Sequence, residues 1–187
     1  MGSGAILAIV IGFGVILIFW AVGIYNSLVR LRNEIENAWA QIDVQLKRRH
    51  DLIPNLLETV KGYAKHEAGT LEKVVQARNM ATGATNVEDR MAAENMLSGA
   101  LKSLFAVAEA YPDLKANTNF LALQEELTST ENKIAFSRQF FNDRTLEYNT
   151  KTETFPASVI AGMFSFVRKP FFEVKDEAVR EVPKVSF

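Results

Sequence analysis

The sequence predicts an all-α protein in which an N-terminal transmembrane helix continues into an antiparallel up-down four-helix bundle. Three observations lead to this fold class: the chain of 187 residues opens with an uncharged apolar run, later apolar residues recur at helical spacing, and no convincing strand alternation follows. The balance of 21 Lys and Arg against 22 Asp and Glu disfavours a nucleic-acid-binding protein. The lack of cysteine excludes disulfide scaffolds and thiolate metal sites.

Residues 4–24 form the predicted transmembrane helix, because they are uncharged and almost wholly apolar. At a rise of about 1.5 Å per residue the run spans about 31 Å, the thickness of a bilayer's hydrocarbon core. Trp20 and Tyr25 stand near its end, where aromatic rings favour the membrane interface. A cleaved signal peptide is the alternative, but no basic residue precedes the run and the run is long for a signal core.

Basic residues set the expected orientation of the span. Arg30 and Arg32 follow it and none precedes it, so residues 1–3 are expected outside the membrane and the large C-terminal part in the cytoplasm. Within the span, a strip of small residues would let two membrane helices approach closely. Its members, the first candidate oligomer contacts, are Gly4, Ala8 and Gly12. The alternative is that Gly and Ala are simply common in membrane helices.

The four-helix bundle is predicted over residues 26–151. Its first helix, 26–64, repeats apolar residues at intervals of seven, and this phase passes through Pro54 without slipping. An unbroken phase favours one kinked helix. The alternative is a break, with Asp51 capping a new helix that has Pro54 in its first turn.

The other three helices are predicted over 67–82, 87–111 and 117–151. A Gly-containing loop ends the first of them and Pro112 ends the second. Asn117 or Thr118 is the candidate N-cap of the last. Short connections between long helices predict antiparallel neighbours.

A Phe-rich apolar tail is predicted over residues 152–172, too short and too broken to span a bilayer. Summing the helical rises puts the end of the fourth helix about 20 Å from the membrane. The tail has three possible positions: packed on the bundle, dipped into the lipid interface, or bound to a neighbouring protomer. Its candidate oligomer contacts are Phe155, Phe164 and Phe166. Residues 173–187 are predicted to be a loose C-terminal tail.

Arg48 and Arg49 are the remaining candidate oligomer contacts. Arg49 occupies an otherwise apolar row, and a buried charge normally has a partner. One hypothesis pairs this basic cluster with an acidic residue of a neighbouring subunit; the acidic residues considered are Asp43, Glu58 and Glu125. The alternative is an intramolecular salt bridge across the bundle.

Several blocks of the chain carry a resemblance to a known family. They are ENAWAQIDVQLKRRHDLIPNL at 36–56, AYPDLKAN at 110–117, LQEEL at 123–127, Tyr148-Asn149 and Phe155-Pro156. Together they resemble the LemA family of bacterial single-span membrane proteins. The resemblance implies one membrane span, a helical domain in the cytoplasm at the bacterial inner membrane, and no established enzymatic activity. Family members are often encoded near membrane metalloproteases, which suggests a role in envelope maintenance.

No motif for catalysis, a cofactor or a metal is found. His50 and His66 are the only histidines, and His66-Glu67 lacks the second histidine that a zinc-protease helix needs. The chain has no glycine-rich phosphate loop and no Glu-x-x-His motif for a di-iron bundle. We therefore predict no catalytic, cofactor-binding or metal-binding residue.

The leading hypothesis is a non-enzymatic, membrane-anchored helical scaffold that self-associates on the bacterial inner membrane. Its predicted partners are other copies of the same chain and membrane lipid. Its alternative is an adaptor that brings substrates to a membrane protease, or regulates that protease or another envelope protein. An enzyme with an unrecognised carboxylate site is a third, weaker hypothesis. No nucleic-acid partner is predicted.

Overall fold

The computed structural model describes residues 2–64 and 67–172. These residues form helices and connecting turns, without a strand in either described range, so the all-α class is confirmed. The helices are α1 (Ser3–Tyr63), α2 (Ala68–Gly83), α3 (Val87–Ala108), α4 (Pro112–Lys115), α5 (Thr118–Glu153) and α6 (Ala157–Met163). The predicted loose tail at 173–187 and His66 lie outside the described residues.

Helix α1 is a single helix of 61 residues that contains the apolar run and Pro54. The prediction of one helix through Pro54 is confirmed, and the alternative break capped by Asp51 does not occur. A proline inside a helix removes one backbone hydrogen bond and costs about 3 kcal/mol. Ile53 and Leu56, both fully buried beside it, give the packing that offsets this cost.

The ends of the later helices follow their capping residues. Asn117 Oδ1 accepts a hydrogen bond of 3.0 Å from the Phe120 N–H, so Asn117 caps α5, not Thr118. α3 ends at Ala108, three residues before the predicted end, and Pro112 begins the short helix α4. From the sequence, Pro112 is predicted only to end the preceding helix. Proline also suits the first turn of a helix, because the N–H groups of that turn have no partner within the helix.

The chain folds as two compact units, and α1 and α5 each contribute to both. Among the described residues, the membrane-proximal unit, which contains the apolar run, comprises 2–42 and 136–171, and the distal unit comprises 43–64, 67–135 and Phe172. In the distal unit, α1 to α5 bury one apolar core. Its largest fully buried members are Phe120, Ile53, Leu56, Leu97, Leu104 and Leu114.

The membrane-proximal unit has its own buried residues. α1 contributes Leu28, Leu31, Ile35, Ala38 and Ile42; α5 contributes Phe141 and Tyr148; and α6 contributes Ala157 and Ala161. The rings of Trp39 and Phe141 meet edge to face at 5.8 Å. The predicted row at intervals of seven (Leu28, Ile35, Ile42) is therefore a buried face, whereas the apolar run before it packs against nothing.

Candidate functional site

Arg49 lies fully buried in the distal unit, on the same row of α1 as Ile42 and Leu56. A guanidinium cannot lose its proton, so its burial costs several kcal/mol unless its donors are satisfied. The partners of Arg49 come from α3 and α5. We call Arg49, His50, Glu94, Ser98 and Glu131 the Arg49 cluster.

Hydrogen bonds satisfy two of the three guanidinium nitrogens. Nη1 of Arg49 donates to Ser98 Oγ at 2.8 Å and to Glu131 Oε2 at 2.6 Å. Nη2 donates to the Glu94 carboxylate and to the Glu94 backbone oxygen at 3.3 Å. Because Glu94 is fully buried as well, its pairing with Arg49 takes place out of water, where an ion pair is strong.

His50 completes the surroundings of Glu94. His50 Nε2 lies 2.9 Å from Glu94 Oε1, and the His50 backbone oxygen accepts a hydrogen bond of 2.9 Å from Arg78 Nε. Burial by itself raises the pKa of the Glu94 carboxyl. The close approach of His50 and the charge of Arg49 outweigh it and leave the pKa of Glu94 below its ordinary value. Glu94 is thus held as a carboxylate inside the fold.

The Arg49 cluster has the connections of a structural network. Ser98 Oγ accepts from Arg49 and donates to Glu131 Oε1 at 3.0 Å, so its proton points to a carboxylate, not to the histidine. The Ser–His arrangement of a hydrolase is not the one seen here. Within residues 2–64 and 67–172, no group of three or more His, Cys, Asp and Glu side chains is placed to hold a metal ion.

Arg48 points to the surface and also pairs within the chain. Its Nη2 and Nε lie 2.7 and 3.1 Å from Glu126 Oε1, and both side chains are about half exposed. An exposed pair of this kind contributes about 0.2–1 kcal/mol. Of the acidic residues named for intersubunit pairing, Asp43 instead pairs with Arg90 of the same chain.

The intersubunit role expected for Arg49 is therefore corrected. With no exposed surface, Arg49 cannot contact a neighbour, and the intramolecular salt bridge is the alternative that the structure shows. The physical reason is the position of Glu94 on the inward face of α3. The sequence did carry that signal, because Glu94 stands three residues from both Met91 and Leu97, which are buried on the same face.

The tail packs on the membrane-proximal unit on one side. The rings of Phe164 and Phe166 lie 4.7 and 5.6 Å from the ring of Tyr25, and Arg32 lies 5.6 Å from the ring centre of Phe166. Phe155, in contrast, is 84% exposed. Of the three positions considered, packing on the protein is what the structure shows for the inner side of the tail.

Helix α5 returns closer to the end of the apolar run than the summed helical rises predict. Lys151 Nζ donates to Ser27 Oγ, only three residues after the apolar run, whereas the expected separation was about 20 Å. The last helix is predicted to end at residue 151, whereas α5 extends to Glu153. The tail therefore begins beside the end of the predicted span.

The strip of small residues lies on the exposed part of α1. A Cβ atom built on Gly4 or Gly12 would meet no atom within 4 Å, and Ala8 is exposed. The contacts that these residues would make belong to another molecule or to lipid. Their role as oligomer contacts stays a prediction.

These features define a helical protein with an N-terminal membrane-anchor helix: the described residues include one helix that is long and apolar enough to cross a bilayer, and its apolar part is wholly unburied. The family model described as the LemA family matches residues 38–187. The chain belongs to the LemA family, as its resemblance indicated.

Two kinds of relative share most of the chain. Protein LemA of Metamycoplasma hominis is 29% identical over 165 residues, which cover 86% of this chain and 74% of the relative. The magnetosome protein MamQ of Magnetospirillum gryphiswaldense is 22% identical over 177 residues, covering 81% of this chain. The match spans 65% of MamQ, less than two thirds of its length.

Proposed function

We propose that this LemA-family protein is a non-enzymatic scaffold that self-associates on the bacterial inner membrane and serves membrane organisation or envelope maintenance. The single observation that carries the proposal is the continuity of α1. One helix supplies both the exposed apolar run and buried residues of both compact units. The folded part thus has no hinge at the point where its helix becomes a membrane anchor.

The proposed fold in full is an antiparallel up-down four-helix bundle with the N-terminus outside. Contacts between α1 and α5 support the antiparallel arrangement. Trp39 meets Phe141, Arg144 Nη1 lies 3.5 Å from Glu34 Oε2, and Lys151 meets Ser27, so positions on α5 rise as those on α1 fall. Arg30 and Arg32 after the span support the cytoplasmic location of the helical part.

Exposed apolar side chains outside the span support self-association. On α5, Phe136 is 73% exposed and Leu146 is 56% exposed. Large exposed apolar groups beside a membrane anchor are typical of surfaces that meet another protein. Anchoring also raises the effective concentration of such surfaces, because all copies share one plane and one orientation.

Light scattering on the detergent-solubilised protein tests self-association. The expected result at micromolar concentration is a protein mass of several chains after the detergent mass is subtracted. A variant with Phe136→Ser and Leu146→Ser tests whether these two side chains form the contact between copies. Both side chains are exposed, so their replacement leaves the core intact. A monomer at this concentration in the unmodified protein would overturn the proposal.

The adaptor hypothesis has a surface that favours it. A groove of about 670 Å³ lies on α1 and α2 of the distal unit. Apolar residues (Pro54, Leu57, Ala68, Leu71 and Val75) and charged residues (Glu58, Lys61 and Glu72) line it. Single-cysteine variants, which are clean because the chain lacks cysteine, separate the two functions by crosslinking in cells. Self-crosslinks from Gly12→Cys support the scaffold, and crosslinks from Val75→Cys to a second protein support the adaptor.

A further inference from the structure

The segment after α5 has an inner and an outer face of different character. On the inner face, Ala157 and Ala161 of α6 are buried. On the outer face, Phe155, Val159 and Met163 follow one another at intervals of four and are 84%, 54% and 71% exposed. Val167 extends this face and is also exposed. We call these four residues the outer tail face.

Hydrogen bonds fix the direction in which the outer tail face points. Tyr148 Oη donates to the Val167 backbone oxygen at 3.1 Å. Asn149 Nδ2 donates to the Lys169 backbone oxygen, and Asn149 Oδ1 accepts from the Lys169 N–H, both at 2.9 Å. Because Tyr148 and Asn149 are buried on α5, these hydrogen bonds hold the backbone of the tail at Val167 and Lys169 against the membrane-proximal unit. The Val167 side chain is left exposed on the outer side.

The outer tail face lies where the predicted span leaves the bilayer. The ring of Phe164 packs at a tilt of 60° against the ring of Tyr25, the residue directly after the apolar run, with ring centres 4.7 Å apart. Lys151, six residues before α6, reaches Ser27. The exposed apolar surface of the tail is thus continuous with the exposed apolar surface of α1 at Val22.

The composition of this surface matches the membrane interface. Apolar Phe and Met side chains stand near the basic residues Arg168 and Lys169 in the chain, and Arg30 is exposed six residues beyond the span. Arg168 also lies 3.4 Å from the Glu153 carboxylate, an exposed ion pair. Apolar side chains that enter the boundary between headgroups and acyl chains, with basic residues at the headgroups, are the pattern of interfacial segments. Such burial contributes favourable free energy for every apolar group removed from water.

We propose that the outer tail face inserts into the lipid interface at the Tyr25 end of the span, as a second membrane contact for each chain. The occupant is lipid and not a second copy, because the face is continuous with the anchor and carries basic groups at its end. This inference rests on the proposed membrane anchoring. The inserted tail then holds the membrane-proximal unit at the bilayer surface.

The test uses full-length single-cysteine variants labelled with the environment-sensitive fluorophore NBD, in vesicles of phosphatidylethanolamine and phosphatidylglycerol. Val159→Cys and Met163→Cys probe the outer tail face. Asp143→Cys, exposed on α5 about 12 Å of helix before Lys151, is the aqueous control. Gly12→Cys, in open surroundings on α1, reports the span.

The expected result is a blue-shifted emission at positions 159 and 163 that lipids with a nitroxide spin label near the headgroup quench, with neither effect at 143. Quenching of Gly12→Cys by lipids with the nitroxide deep in the acyl chain shows that the span is inserted. Water-like emission at 159 and 163 with an inserted Gly12 would overturn the tail proposal alone. If Gly12 is water-exposed too, the anchoring itself fails.

A second copy as occupant is distinguished by dilution. Lipid insertion gives emission and quenching that do not change as the lipid-to-protein ratio is raised. If the shift at 159 and 163 disappears on dilution, or if unlabelled Met163→Cys forms disulfide-linked dimers and the labelled protein shows no lipid quenching, the face binds another protein and the proposal is overturned.

Discussion

At the scale of residues, Arg49 is the side chain whose burial needs most compensation. Replacing it with alanine leaves Glu94 buried beside His50 alone. Removal of one partner of a buried ion pair costs about 3–5 kcal/mol, so we expect Arg49→Ala to lower the free energy of unfolding by that amount. Chemical denaturation in detergent measures it. Arg48→Ala is the control, with an expected loss of about 0.2–1 kcal/mol, and equal losses for both variants would contradict this view of the cluster.

A double replacement asks whether the Arg49–Glu94 pair itself stabilises the fold. We expect Arg49→Met with Glu94→Leu to be more stable than Arg49→Ala, because two apolar side chains of similar size remove the desolvation cost of both charges. The measurement is again the free energy of unfolding. If the double variant is less stable than the unmodified protein, the pair contributes more than its own desolvation costs.

The depressed pKa of Glu94 predicts a dependence of stability on pH. The folded protein holds the Glu94 carboxylate with a pKa below the ordinary value of 4.5, so its contribution is fully present above that pH. As the pH falls further, the unfolded chain takes up the proton first and the contribution is lost until the folded pKa is passed. Denaturation between about pH 3 and pH 7 should show the stability difference between the unmodified protein and Glu94→Gln shrinking with acidity. A constant difference would mean that the pKa is not depressed.

At the scale of elements, the sequence predicts most of the helices but not the partners of their inward polar groups. The row Leu28, Ile35 and Ile42 is enough to place a buried face on α1, because helical spacing alone decides which residues share a face. The choice of Glu94 and Glu131 as partners of Arg49 depends on how three helices are placed in register. Helical periodicity within one element carries no information about that register.

The tail shows the same limit. Its Phe-rich composition predicts that it needs a covered surface, but the residues that fix it are polar and stand on α5. In the sequence Asn149 stands out only as part of a family block. Nothing local in the sequence shows that its side chain donates one hydrogen bond to the Lys169 backbone and accepts another from it. Contacts across 20 residues of chain depend on where α5 ends, which the sequence analysis placed two residues too early.

Asn149→Ala tests the docking of the tail. The variant loses two hydrogen bonds, about 1–3 kcal/mol in sum, so the tail opens about 5- to 150-fold more often. Limited trypsin digestion should cut after Arg168 correspondingly faster, because cleavage follows the population of the open form. Thr150→Ala, its exposed neighbour on α5, is the control and should be cut at the original rate. Equal rates for Asn149→Ala would show that the tail is held by its apolar inner face alone.

At the scale of the whole molecule, the exposed part of α1 connects the anchor to self-association. Gly12 lies in open surroundings on the small-residue strip, so a leucine there leaves the folded units intact and blocks the close approach of a second helix. We expect Gly12→Leu to weaken self-association about tenfold, about 1.4 kcal/mol, seen as a smaller particle mass in light scattering over a concentration series. Gly14→Leu adds the same bulk, also in open surroundings, about 200° round the same helix from Gly12, and should keep the original mass. If both variants keep that mass while Phe136→Ser with Leu146→Ser reduces it, the copies associate through α5 and the span only anchors them.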